Sequence, residues 1–108
     1  MISRQRLTGR RPPVKYRVEL APAVFAEVRA LPGHIRPQAR QRFRELENEP
    51  RPHGAKELRG KPGVYRLWLA GHWRIVYTIN DDLQLVRVVR VRRKEQSDYE
   101  HLDDDDND

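Results

Sequence analysis

The sequence predicts a single α+β domain in which two helices pack on one face of an antiparallel-rich sheet, with the element order β-α-α-β-β-β. A chain of 108 residues has apolar residues for one hydrophobic core only. These residues recur at helical spacing in the first half of the chain and alternate with polar residues in the second half. Since two amphipathic helices cover only one face of a sheet, we expect the other face to be open to solvent.

The first half is predicted to contain one strand and two helices. Residues 14–20 alternate in polarity, as the residues of a half-buried strand do. The first helix begins near Pro22 and ends before Pro32. Its apolar positions are Val24, Val28 and Leu31. The second helix begins near Pro37 and ends before Pro50. Its apolar positions are Ile35, Ala39, Phe43 and Leu46.

Three consecutive antiparallel strands are predicted after a turn-like stretch at residues 51–62. They span residues 64–69, 73–79 and 83–91, and short connections rich in turn-forming residues separate them. Alternation places one set of side chains of the first hairpin in the core. This set comprises Tyr65, Leu67, Leu69, Trp73, Ile75, Tyr77 and Ile79.

The other face of this hairpin carries two arginines and a tryptophan. With the turn centred on Gly71, Trp68 lies opposite Arg74, and Arg66 lies opposite Val76. A guanidinium group holds a phosphate in a fork, and an indole ring stacks on an unpaired base. We therefore expect this face to bind RNA. The alternative is that Trp68 only shields the two arginines by cation–π contact on a sheet that binds nothing.

The two ends of the chain differ from the domain at residues 14–102. Residues 1–13 are basic and have no apolar period, so they are predicted to form a flexible arm. Residues 103–108 are predicted to form a disordered acidic tail, and they contain five of the 16 acidic residues. The whole chain has a net charge of +6; without the tail, 22 basic residues face 11 acidic ones. This excess favours a polyanionic partner, either nucleic acid or an acidic protein segment.

Several classes of protein are disfavoured by what the sequence lacks. It has no cysteine, and its four histidines show no spacing suited to a metal site, so no metal or other cofactor is expected. It also has no apolar run long enough to cross a membrane and no apolar stretch typical of a signal peptide near residue 1. We therefore expect a cytoplasmic protein that does not contact membranes.

Residues 55–99 resemble the second half of the RelE/ParE superfamily of bacterial toxins from type II toxin–antitoxin pairs. The shared order is Leu-Arg-Gly, then Tyr-Arg-Leu, then Gly-x-(Tyr or Trp)-Arg-(Ile or Leu)-Val-Tyr. A β-rich strand, basic residues and a tyrosine follow. This order is similar to that of the RelE branch, the messenger RNA interferases. With the strand and helices of the first half, the resemblance extends over about residues 15–102.

The resemblance implies a ribosome-dependent endoribonuclease that cleaves messenger RNA in the A site of the 30S subunit without a metal. In this family the 2′-hydroxyl group attacks the adjacent phosphate. Such a site needs cations for the phosphorane, groups that accept and donate protons, and a ring that stacks on a base. The resemblance also implies an antitoxin with an acidic or amphipathic segment as partner, and hence a toxin–antitoxin hetero-oligomer.

The motif of the family also implies roles for individual residues. Arg66 matches the first strand lysine of the RelE motif, and Arg74 matches the arginine that holds the scissile phosphate. The late catalytic arginine corresponds to Arg93 or Lys94, depending on the alignment. Tyr99 matches the tyrosine that stacks on a base. The further candidates for RNA binding are Lys56, Arg59, Trp68 and Arg92.

One position departs from the RelE motif. Trp68 stands where the motif has a second lysine, and an indole ring neither carries charge nor exchanges a proton at working pH. Arg66 is a poor proton carrier as well, because a guanidinium group stays protonated. The candidates for acid–base chemistry are then His72, Glu95 and His101, although an exposed surface group is the simpler explanation for each of them. The alternative function is a ParE-like inhibitor of DNA gyrase, or an inactive family member that binds only its antitoxin.

Overall fold

Five strands form one sheet, and two helices pack on one of its faces. The computed structural model describes residues 15–94; the predicted arm at 1–13 and tail at 103–108 lie outside this range. The elements are β1 (Arg17–Leu20), α1 (Pro22–Arg29), α2 (Arg36–Asn48), β2 (Lys56–Glu57), β3 (Val64–Leu69), β4 (Trp73–Asn80) and β5 (Leu85–Arg93). The predicted α+β class and the placement of the helices are confirmed.

The strand order across the sheet is β1-β5-β4-β3-β2. The first and last strands of the chain, β1 and β5, run parallel, whereas all other neighbouring pairs are antiparallel. This agrees with the antiparallel-rich sheet that the sequence predicts. The register of the β3–β4 hairpin also agrees, since Trp68 pairs with Arg74 and Arg66 pairs with Val76.

The short strand β2 was not predicted. It contains only Lys56 and Glu57, which pair with Arg66 and Tyr65 of β3. Two residues are too few to show the period-two pattern by which a strand is recognised, and the residues around them favour turns. The β2 strand therefore depends on its partner β3 and not on a local pattern.

A β-bulge in β5 changes which side chains of this strand face the core. Two consecutive residues of β4 pair with Arg90 and Val88, which leaves Val89 as an extra residue in β5. Because of this extra residue, Val88 and Val91 are both buried in the core although they are three positions apart. Arg90 and Arg92 lie correspondingly on the opposite face of the sheet.

The core lies between the helices and one face of the sheet. It contains the apolar stripes of both helices and the inner residues of β3, β4 and β5. The buried members are Val24, Leu31, Ile35, Ala39, Phe43, Leu46, Leu67, Leu69, Ile75, Tyr77, Val86, Val88 and Val91. Val28 and the remaining predicted core residues of the hairpin, Tyr65, Trp73 and Ile79, are partly buried against this cluster.

An ion-pair network ties the end of β4 to β1 and to the chain after α2. Arg51 donates two hydrogen bonds to the Asp81 carboxylate, at 3.2 and 2.9 Å, and Tyr16 donates a third at 2.6 Å. Arg51 Nε also donates to the Tyr65 hydroxyl at 3.0 Å. The hydrogen bonds from Arg51, the main cause, and from Tyr16 hold the pKa of Asp81 below its usual value. Sequence analysis did not identify this network.

Replacing Leu46 tests the packing of α2 on the sheet. Leu46 is fully buried. We expect Leu46→Ala to lower the free energy of unfolding by about 3 kcal/mol, because the substitution removes buried methyl groups and leaves a cavity. Urea denaturation measures this loss. The control is Leu83→Ala at an exposed leucine, which should change the free energy by no more than about 0.5 kcal/mol. Equal effects of the two substitutions would contradict the assignment of this core.

The Asp81 network predicts a pH dependence of stability. Since the pKa of Asp81 is lowered in the folded state, its contribution is complete above the usual value of 3.8 and is lost as the pH falls through the folded pKa. We expect Asp81→Asn to lower the urea midpoint at neutral pH and to reduce the further loss on acidification. The matched control is Asp82→Asn, at the neighbouring exposed carboxylate. If Asp81→Asn loses as much stability in acid as the parent, the network does not contribute.

Candidate functional site

The sheet face away from the helices carries three cations around one indole ring. The register of the hairpin places Trp68 beside Arg74, and Arg66 lies two residues earlier on the same face. The Cζ atoms of Arg66 and Arg74 lie 5.1 and 6.0 Å from the centroid of the Trp68 ring. Lys94 Nζ lies 5.6 Å from the same centroid. We call these four residues the Trp68 cluster.

The Trp68 cluster concentrates positive charge at one place. Three cations of like charge repel one another, and the electron-rich face of an indole ring offsets part of that repulsion by cation–π attraction. Arg66 Nη1 also donates a long hydrogen bond, at 3.4 Å, to the carbonyl oxygen of Gly54. The positive potential that results favours binding of an anion.

The exposure of the two arginines differs from the expectation. The face was expected to be open to solvent, but Arg66 is only 3 % exposed and Arg74 only 1 % exposed. Trp68 is half-buried. Strand alternation correctly placed these side chains on the face opposite the helices, but it carries no information about what packs over that face. An anion can reach the two guanidinium groups only when the groups that cover them move.

The structure brings Lys94, and not Arg93, into the Trp68 cluster. Successive residues of an extended chain point to opposite sides. Arg93 accordingly lies on the helix side, with its Cζ atom 5.2 Å from the centroid of the Trp73 ring. The backbone N–H of Lys94 donates to the carbonyl oxygen of His72 at 2.9 Å, which fixes the chain at this point. Of the two alternatives for the late cation, only Lys94 is next to Trp68.

Two further candidates for RNA binding lie on the same sheet face as the Trp68 cluster, on the neighbouring strands. Lys56 pairs with Arg66 across β2 and β3, and Arg92 pairs with Arg74 across β5 and β4. Directly paired residues of neighbouring strands share a face, so basic residues occur on this face from β2 to β5. Arg59 is exposed in the loop that follows β2.

Of the candidates for proton transfer or base stacking outside the Trp68 cluster, His72 is the one that the structure describes. His72 is exposed in the turn between β3 and β4, and its ring lies edge-on to Trp73 with the centroids 6.1 Å apart. Glu95, Tyr99 and His101 lie outside the described residues. The roles predicted for these residues therefore stay predictions.

Gly54 is a contact of the site that sequence analysis missed. Its φ of 96° lies in the region that favours glycine, and its carbonyl oxygen accepts the hydrogen bond from Arg66. The histidine-glycine pair at residues 53–54 was visible only as a turn signal. The partner of its carbonyl group, 12 residues away, was not predictable from that signal.

The described part of the chain contains neither a metal-binding cluster nor a membrane-spanning helix. Within residues 15–94, no group of three or more His, Asp or Glu side chains is arranged to hold a metal ion. No helix in this range is long and apolar enough to span a membrane.

Comparison with known proteins identifies relatives of the chain. A family model described as the ParE toxin of the type II toxin–antitoxin system parDE matches residues 18–98. A search of curated protein sequences gives no match. Solved structures with the same fold include toxins both alone and with their antitoxins.

Three of these structures have between 27 and 28 % sequence identity to this chain. A double arginine mutant of the free Escherichia coli toxin RelE is 28 % identical, with a TM-score of 0.67 over 78 % of this chain and 88 % of that one. The intact E. coli RelBE complex is 28 % identical, with a TM-score of 0.64 over 72 % of this chain and 95 % of that one. The RelBE2 complex of Mycobacterium tuberculosis is 27 % identical, with a TM-score of 0.63 over 75 % of this chain and 93 % of that one. Together with the family match, these similarities show that the chain belongs to the RelE/ParE superfamily of toxins from type II toxin–antitoxin systems.

Proposed function

We propose that this toxin is a metal-independent endoribonuclease that cleaves messenger RNA in the ribosomal A site. The Trp68 cluster carries the proposal, since three cations and an aromatic ring on one sheet face are groups that hold phosphate and stack on bases. The similarity to RelE at 28 % identity supports it. In the proposed reaction the 2′-hydroxyl oxygen attacks phosphorus and loses its proton. The 5′-oxygen leaves and takes up a proton, and a cyclic 2′,3′-phosphate remains.

The members of the Trp68 cluster are proposed to have different roles in the reaction, because their side chains differ in chemistry. Arg74 and Arg66 stay protonated, so they stabilise the negative charge that develops on the phosphate and carry no proton. Lys94 supplies the amine of the cluster, the type of group that can donate a proton to the leaving 5′-oxygen. Tyr99 is proposed to stack on a base, as its match to the family motif implies.

We propose that the Trp68 ring offsets the repulsion between the three cations until a bound RNA phosphate takes over this role. The Trp68 ring contacts three groups of like charge, of which Arg66 and Arg74 are almost inaccessible and Lys94 is exposed. A bound phosphate would take over the neutralisation of that charge, and the ring would then be available to stack on a base. In this role, tryptophan at the position of the family lysine favours binding at the expense of proton transfer.

Inhibition of DNA gyrase is the second candidate function. The family model that matches the chain is that of the ParE toxin, and Trp68 replaces a lysine of the RelE motif. In this case the basic face would contact protein in place of RNA. A third outcome is a member of the family that binds its antitoxin and has no toxic activity of its own.

Substitutions in the Trp68 cluster test the ribonuclease proposal. We expect Lys94→Ala to slow single-turnover cleavage of ribosome-bound messenger RNA about 10²-fold, because the proton donor is lost. Arg74→Ala should slow it by about 10²- to 10³-fold, because the charge at the phosphate is lost. Primer extension maps the cleaved ends. The matched control is Arg40→Ala on the exposed surface of α2, which should cleave at the parent rate.

The outcomes of this experiment separate the candidate functions. Cleavage at the parent rate by both cluster variants would contradict the proposed site. Since Arg74 is buried and its variant can fail to fold, circular dichroism is recorded for each, and the exposed Lys94 gives an independent result. Inhibited supercoiling by purified gyrase, without cleaved messenger ends, would support the ParE-like function. A parent chain that gives neither effect would support the inactive member.

The neutralising role of Trp68 predicts a dependence on anions. We expect Trp68→Ala to lower the free energy of unfolding by about 2 kcal/mol, because several cation–π contacts are lost. Sulfate should restore more stability to this variant than to the parent, since the anion neutralises the uncovered cations. Urea denaturation at constant ionic strength, with and without sulfate, measures this difference. The control is Trp73→Ala, because among residues 15–94 the Trp73 ring contacts one cation, Arg93. An equal gain from sulfate in both variants would contradict the role.

A further inference from the structure

Residues 103–108, which we call the acidic tail, carry a dense negative charge. Five of these six residues are aspartates, which gives the tail a formal charge of −5. The tail contains no apolar side chain, so it cannot pack against the core, and its like charges repel one another. Attraction to cations is the interaction that remains open to it. The described part of the chain supplies such cations on one face of the sheet.

Basic side chains surround the Trp68 cluster on the sheet face away from the helices. Lys56 lies beside Arg66 across β2 and β3. Arg92 lies beside Arg74 across β5 and β4. Both Lys56 and Arg92 are half-buried, and Lys94 is exposed, whereas the arginines at the centre are almost fully covered. An anion can therefore contact this rim of the cluster before any covering group moves.

The strands themselves supply little negative charge to this face. β1 contributes Glu19, which pairs with Arg87 of β5 in the sheet. Its carboxylate lies 3.2 Å from Arg17 and 3.7 Å from Arg87, so its charge is already compensated. β1 and β3 are three strand spacings apart, about 14 Å, which places Glu19 well away from the Trp68 ring. Among the strands that the structure describes, this face is therefore strongly basic.

The acidic tail is close enough along the chain to reach the basic face. Lys94, whose Nζ lies 5.6 Å from the centroid of the Trp68 ring, precedes Asp103 by nine residues. Nine residues span about 14 Å as a helix and about 30 Å when extended, whereas five strands are about 19 Å wide. A connection of this length gives a tethered segment an effective concentration on the order of 1 mM. A contact with a dissociation constant below this value is then occupied most of the time.

We propose that the acidic tail docks on the rim of the Trp68 cluster of its own chain and occupies positions that an RNA phosphate would take. Carboxylates and phosphates are bound by the same guanidinium and ammonium groups through charge-assisted hydrogen bonds. The tail is therefore an internal competitor that lowers the affinity of the chain for RNA, and salt releases it by screening the attraction. That RNA is the displaced ligand rests on the function proposed above, whereas the docking rests on charge and reach.

The tether decides between the tail of the same chain and the tail of a second copy. A second copy at micromolar concentration offers its tail at about a thousandth of the effective concentration of the tethered one. Two copies also repel each other, because each chain has a net charge of +6. Docking within one chain is favoured on both grounds.

A nitroxide spin label in the tail tests where the tail lies. The sequence has no cysteine, so Asn107→Cys gives a single labelling site and keeps all five aspartates. In NMR spectra of the ¹⁵N-labelled full chain at low salt, we expect the label to broaden the indole N–H signal of Trp68 and the amide signal of Arg92. The amide signal of Arg40, on the exposed surface of α2, should stay sharp. Salt at about 1 M should remove the broadening, because the Debye length falls to about 3 Å.

Two matched pairs of substitutions separate docking from a general effect of charge. Lys56→Gln with Arg92→Gln removes two charges from the rim and should reduce the broadening at Trp68. Arg40→Gln with Arg44→Gln removes two charges from the exposed surface of α2 and should leave the broadening unchanged. Equal effects of the two pairs, broadening spread evenly over both faces, or no broadening would each overturn the proposal. Equally strong broadening in a mixture of spin-labelled ¹⁴N chains and unlabelled ¹⁵N chains would show docking between copies, and would overturn it as well.

Competition with RNA is measured with a short oligouridine whose 2′-O-methyl groups prevent cleavage. Replacing the five aspartates of the tail by asparagine should tighten binding about tenfold at low salt, the effect of a tail whose effective concentration is about ten times its dissociation constant. Replacing them by glutamate keeps the charge and should leave binding unchanged. Equal binding by the parent and the asparagine variant would contradict the competition. A tenfold gain without preferential broadening at Trp68 would indicate long-range repulsion only, and would overturn the docking.

The docking result is independent of the catalytic proposal. The spin-label experiment contains neither RNA nor gyrase, so a chain without ribonuclease activity can still dock its tail. A parent chain that cleaves messenger RNA but shows no broadening at Trp68 would overturn only the docking. A parent chain that shows the broadening but cleaves no messenger RNA would overturn only the ribonuclease.

Discussion

The packing of α1 and α2 on one face of the sheet is the constraint on which the candidate site depends. Leu67, Ile75 and Tyr77 are buried under the helices, and this fixes which face every other residue of the hairpin occupies. A shift of one residue would bring Arg66 and Arg74 into the apolar core, where unpaired charges are strongly destabilising. The burial of one face therefore specifies the cationic cluster on the other.

That cluster combines interactions that oppose each other. Three cations near one ring repel each other, and burial of two of them removes the solvation that would screen this repulsion. The Trp68 ring and the Gly54 carbonyl group offset part of this cost. The Arg51–Asp81 network has the opposite arrangement, since its charges are complementary and more exposed. One group of charges stabilises the fold, and the other is suited to bind an anion.

The two edges of the sheet are protected in different ways. At one edge, β2 is only two residues long, and so short a strand offers little backbone for another chain to pair with. At the other, β1 covers only the first part of β5, and Glu27 occupies a backbone donor beyond it. Arginines along β5 further disfavour pairing with a copy of the same chain.

The sequence by itself determined the two helices, the long strands, the register of the hairpin and the face on which Trp68 lies. These follow from the spacing of apolar residues along a short stretch of chain, and that spacing is local. The motifs that carry the family resemblance are local too. For this reason the α+β class and the toxin superfamily were both predictable before any distance was known.

Only the tertiary structure decided how the site is assembled. It added β2 and the extra residue Val89, buried Arg66 and Arg74, and placed Lys94 at the Trp68 ring. Each of these depends on contacts between segments that are distant in the chain. A periodic pattern states which side of a strand a residue occupies; what covers that side is determined by packing, which no local pattern contains.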